Sequence, residues 1–78
     1  MNSPKRGMAV FGIRGRRVGT VREVREACFE VERQDRDETL CLTYESLFTV
    51  EARDGVTLIC PHEEVERYRC EEHSPSAK

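Results

Sequence analysis

Between residues 27 and 43 the chain alternates apolar and polar side chains, breaks over Gln34-Asp35-Arg36-Asp37, and alternates again. In the first run Ala27, Phe29 and Val31 alternate with Cys28, Glu30 and Glu32; in the second, Leu40 and Leu42 alternate with Thr39, Cys41 and Thr43. A period of two marks a strand with one buried face, because successive side chains leave opposite sides of the pleat. The two runs therefore read as an antiparallel hairpin with its loop over 34–37, and with Phe29, Val31, Leu40 and Leu42 turned inward.

The flanking sequence supplies more short strands. Met8 to Phe11 is a short apolar first strand, and Gly12-Ile13-Arg14-Gly15 provides two glycines for a turn. A second strand over 17–24 has Val18, Thr20, Arg22 and Val24 on one side and Gly19, Val21 and Glu23 on the other. Neither side is purely apolar, which a bulge at Gly19 would explain. Residues 44–47 break the alternation as a single turn that drops Leu47 inward. A fifth strand over 48–52, a tight turn at Arg53-Asp54-Gly55 and a sixth strand over 56–60 follow, with Val56 and Leu58 in the core. Pro61 opens a short helix over about 61–69, with Glu63 and Glu64 in its first turn and Arg67 and Arg69 near its end. Val65 and Tyr68 would cap the apolar interior.

Six short strands in so few residues predict an all-β fold, a small six-stranded antiparallel β-barrel with a short C-terminal helix, since a flat sheet would leave apolar faces and edges open. With 78 residues there is room for a single domain. Its expected span is 7–70, preceded by a flexible arm over 1–6 and followed by a polar, fraying tail over 71–78.

Gly7-Met8-x-Val10, Gly15-x-x-Val18-Gly19-x-Val21-x-x-Val24, Phe29-x-Val31, Leu40-x-Leu42, Leu47 and Val56-x-Leu58 together resemble the PRC-barrel superfamily, chiefly its small stand-alone bacterial members. The resemblance spans about residues 7 to 66 and lies in glycines and core positions. It implies a six-strand barrel and a structural or adaptor role, and it brings no catalytic residues with it. Many relatives carry a proline after the fourth strand, where this chain has Leu42-Thr43-Tyr44-Glu45-Ser46-Leu47.

Charge is unevenly spread. Residues 1–25 carry a net charge of +6 and the remaining residues −8, giving the overall −2. Arg14, Arg16 and Arg17 sit on a glycine-flanked turn and are the candidate binding residues. The function expected is a non-enzymatic adaptor or protein-interaction module, acting through that turn or through strand addition at a sheet edge, with self-association included. The alternative is nucleic-acid (RNA) binding, with the three arginines and the basic arm gripping phosphates. An acidic overall balance and few aromatic residues weigh against it.

No enzyme, cofactor, metal or small-molecule substrate is expected, since two histidines and a side-chain-filled small barrel offer no acid and base pair in a pocket. Asp35, Asp37 and Glu38 form a solvated hairpin tip rather than a calcium loop. No run approaches the roughly 18 apolar residues of a membrane span. No continuous apolar h-region of a secretory signal follows Lys5 and Arg6, so a cytoplasmic, reducing setting is expected. Cys28 and Cys41 fall on the outer face of adjacent strands, either as a cross-strand disulfide or redox-responsive pair or as two separate reduced thiols. Cys60, His62, Cys70 and His73 read as Cys-x-His and Cys-x-x-His, yet a helix over 61–69 would hold His62 and Cys70 about 12 Å apart, too far for one zinc ion.

Overall fold

The computed structural model describes residues 3–34 and 37–70. Six strands make one sheet: β1 (Ala9–Phe11), β2 (Arg17–Val24), β3 (Cys28–Arg33), β4 (Thr39–Thr43), β5 (Leu47–Glu51) and β6 (Gly55–Leu58). Their spatial order is β4-β3-β2-β1-β6-β5. Two 3-10 segments, Tyr44–Ser46 and His62–Tyr68, complete the fold.

The connection between β4 and β5 dictates the shape. Held flat, five strand spacings of about 4.8 Å would place these two edges about 24 Å apart. The chain crosses from Thr43 to Leu47 through Tyr44–Ser46 alone, and four residue steps reach about 14 Å at most. The sheet must therefore curl into a half-barrel. Ser46 fastens the corner: it is fully buried, its hydroxyl donates to the Thr43 carbonyl at 2.8 Å, and its own carbonyl accepts from Ile59 N–H at 2.8 Å.

The same corner corrects the expectation of a purely antiparallel sheet. β1 to β4 reverse direction at every step, but the corner carries the chain onward instead of turning it back. After the β5–β6 hairpin, β6 arrives beside β1 pointing the same way, and Val10 pairs with Val56 in a parallel ladder. The sheet is mixed.

β2 has two irregularities in place of one bulge at Gly19. Val10 faces Gly19 and Phe11 faces Arg17, which leaves Val18 as an extra residue. Val21 faces Val31 and Glu23 faces Glu30, which leaves Arg22 extra. Each extra residue shifts the side-chain phase. Val18 and Val21, on opposite faces by strict alternation, are thereby both buried, while Arg22 is pushed outward. Gly19 is required for another reason, since a Cβ there would meet the Glu32 carbonyl of β3. Gly55 sits at φ +91°, the left-handed conformation that the Asp54-Gly55 turn calls for.

Phe29, Val31, Leu40, Leu42, Val56 and Leu58 are fully buried, as the alternation predicts, and pack with Val10, Val18, Val21 and Val65 in one cluster. Leu47 packs against that cluster while partly exposed. The C-terminal segment is a 3-10 helix from His62 to Tyr68 rather than an α-helix over 61–69, and Pro61 precedes it as the capping residue. With three residues per turn, positions three apart lie directly above one another. Val65 and Tyr68 are so spaced, and both reach the core from one side of the segment. β6 ends at Leu58, two residues short of the expected 56–60 strand.

Candidate functional site

The outward face of β3 and β4 is where the structure departs most from the pattern. Cys28 and Cys41 point away from Phe29 and Leu42, as expected, yet Cys28 is fully buried. What covers it is the end of the C-terminal segment. Arg69 bridges to Leu42 across the free side of β4, and Cys70 N–H donates to the Cys41 carbonyl at 2.6 Å. This edge of the sheet is thus closed by the chain itself, and Cys70 is brought to the two strand cysteines.

Cys28 pairs in register with Thr43 and Cys41 with Glu30, so the cysteines are diagonal neighbours. Their Cα atoms are 6.2 Å apart and their sulfurs are joined as a disulfide, the first of the two alternatives left open by the sequence. The Sγ atoms of Cys28, Cys41 and Cys70 all lie within 4.8 Å of one another. Around them opens a concavity of about 710 Å³ lined by Arg22, Arg25, Glu30, Thr39 and Arg69 together with Cys28 and Cys41.

The arginines are positioned by the fold. Arg22 projects because it is the extra residue of the second β2 irregularity, and it donates to the Thr39 hydroxyl at 3.3 Å. Arg25 forms a two-nitrogen contact with one Glu30 carboxylate oxygen, at 2.8 Å from Nε and 2.7 Å from the terminal nitrogen. Its backbone carbonyl accepts from the Tyr44 hydroxyl. Arg69 is held by the bridge to β4. The concavity therefore presents three guanidinium groups and one carboxylate around sulfur, an electropositive setting for soft or anionic ligands.

The three arginines singled out in the sequence do not converge. Arg14 reaches toward the C-terminal segment, 3.9 Å from the Glu63 carboxylate. Arg17 folds back along β2, donating to the Gly19 carbonyl at 3.1 Å and the Thr20 hydroxyl at 2.9 Å, with its guanidinium 5.9 Å from the Phe11 ring centre. Arg16 is exposed. Sequence reasoning missed the Arg22, Arg25 and Arg69 group because the irregularity and the return of the C-terminal segment assemble it. The only available signal was the mismatch of faces along 17–24.

The Cys60, His62, Cys70 and His73 grouping is redrawn. Cys60 belongs to the core cluster, Cys70 joins Cys28 and Cys41, and His73 lies outside the described residues. Of the acidic hairpin tip, Asp35 lies outside them too, Asp37 is exposed, and the Glu38 carbonyl accepts from Arg33 N–H at 2.9 Å. Arg33 itself is buried and contacts the Glu66 carboxylate at 3.5 Å, tying β3 to the 3-10 segment.

Burial pushes the Cys60 thiol above its ordinary value of 9.0, with the Glu64 carboxylate adding to the effect. Below that value both folded and unfolded chains keep the neutral thiol. Above it the unfolded chain ionises first, so stability falls as pH rises toward the folded pKa. Urea midpoints at about pH 8 and about pH 10 should show this loss, and Cys60→Ala should reduce it. An equal loss in wild type and variant would remove Cys60 as a cause.

Among the described residues no helix is long and apolar enough to cross a membrane. No family model, no curated protein and no solved structure matches the chain.

Proposed function

We propose that this chain is a non-enzymatic interaction module that associates along β5, with a second copy as its partner. The observation that carries the reading is Phe48, which is 61% exposed on a strand whose place in the sheet is the outer one beside β6. The two edges are unequal: β4 is covered by Arg69 and Cys70, whereas β5 presents a large aromatic side chain. An apolar ring at a sheet edge favours association, and natural sheets usually place charge there instead.

A second copy suits this strand. A two-fold axis beside Phe48 brings the exposed rings of the two chains together and removes both from water. Beside it a groove formed by Ser3, Pro4, Tyr44, Leu47 and Val50 can receive the ring of the partner's Phe48. The resemblance to PRC-barrel domains, with their structural and adaptor roles, supports the same reading.

Sedimentation velocity over a range of concentrations tests it. Wild-type protein is expected to dimerise, and Phe48→Glu should weaken the dimer by about 2 kcal/mol or more, about thirtyfold in Kd. Phe48 is exposed, so circular dichroism of the variant should match wild type. A wild-type chain that stays monomeric, or a well-folded Phe48→Glu chain that dimerises equally well, would refute β5 as the interface. Nucleic acid bound at low salt, and lost on reversing the charges of Arg14, Arg16 and Arg17, would favour the phosphate reading instead.

A further inference from the structure

We propose that Cys28, Cys41 and Cys70, once reduced, form a three-thiolate site for a zinc ion that pins the C-terminal segment to the sheet. Three residues distant in sequence supply the sulfurs, one from β3, one from β4 and one from the chain after the 3-10 segment. Their convergence is fixed by backbone: the register of β3 on β4 sets the first two, and the Cys70 N–H bond to the Cys41 carbonyl sets the third.

The dimensions suit a metal. Tetrahedral zinc with sulfur at about 2.3 Å holds its thiolates about 3.8 Å apart. The three sulfurs already lie within 4.8 Å of one another, so side-chain rotation suffices. Thiolate ligands select zinc over magnesium or calcium, which take oxygen.

The electrostatics suit it as well. Three thiolates around a divalent ion leave one negative charge. Arg22, Arg25 and Arg69 line the same concavity against the single carboxylate of Glu30. Guanidinium groups so placed compensate an anionic metal–thiolate centre, as outer groups around such centres do.

The disulfide and the metal are alternative states of the same sulfurs. A dithiol reductant passes two electrons and two protons to the Cys28–Cys41 bond, becoming a disulfide itself and leaving two thiols. Zinc then displaces one proton from each of the three thiols, so three zinc–sulfur bonds replace bonds to water, three protons are released, and one water of the hydrated ion stays as the fourth ligand.

The test uses the full chain, reduced with a dithiol, freed of reductant under inert gas and mixed with zinc or with cobalt(II) as a coloured substitute. Wild type and Cys60→Ala are expected to retain one zinc per chain after gel filtration, to gain a thiolate-to-cobalt charge-transfer band, and to melt at a higher temperature with zinc than without. Cys70→Ser should lose the retained zinc and the melting shift. Reduced wild type without zinc uptake or without the charge-transfer band would overturn the proposal. So would a Cys70→Ser chain that keeps both, or a folded Cys60→Ala chain that loses them. Should Cys70→Ser fail to fold, the cobalt spectra of wild type and Cys60→Ala decide the matter.

Discussion

Gly19→Ala is expected to cost this domain at least about 3 kcal/mol, a large share of the 5–15 kcal/mol that holds a typical native state together. The added methyl would be driven into the Glu32 carbonyl and the Arg33 Cα on the neighbouring strand. Both neighbours are backbone, so no rotamer change relieves the contact, and β2 and β3 must separate along a ladder of five residue pairs. Gly7 gives the comparison. It has positive φ but nothing near its missing Cβ, so Gly7→Ala should cost only about 1 kcal/mol through its backbone conformation. Urea titrations of the two variants measure the contrast. A Gly19→Ala midpoint equal to that of wild type would contradict the β2–β3 register.

Phe29→Ala should cost about 3–5 kcal/mol, the usual range for removing a fully buried phenylalanine. Phe29 is completely buried and its ring lies 5.6 Å from that of Tyr44, at the corner joining β4 to β5. The cavity would therefore open beside the three residues that make the sheet curl. Phe48 carries the same side chain in the opposite setting, mostly exposed. Phe48→Ala should leave the stability of the monomer within about 0.5 kcal/mol of wild type. Thermal melts of both variants at low concentration, where association is negligible, check the pair. Similar losses in the two would mean that burial was assigned to the wrong ring.

The alternation in 27–33 and 38–43 made the β3–β4 hairpin and its inward residues legible, because period two is a local property of the chain. The direction of β6 beside β1 was not, since hairpin logic treats each connection as a reversal and Tyr44–Ser46 is a corner. The helix expected from Pro61 and the flanking charges is present as a 3-10 segment, in which Val65 and Tyr68 stand one above the other. At the site, the outward placement of Cys28 and Cys41 on adjacent strands followed from strand phase. The arrival of Cys70 did not, because it depends on how the C-terminal segment returns over β4. The basic turn of Arg14, Arg16 and Arg17 was conspicuous in sequence, yet side-chain partners draw two of its members apart.

The parallel contact between β1 and β6 also bears on how quickly the chain can find its fold. Val10 and Val56 are 46 residues apart in sequence, whereas β1, β2 and β3 each pair with the strand that follows. Joining distant segments costs loop entropy before any contact repays it, and β1 offers only three residues as the landing place. The meander of β1 to β4 and the β5–β6 hairpin can each gather locally. Their meeting along β1 is the slow search, and it sets the pace of assembly.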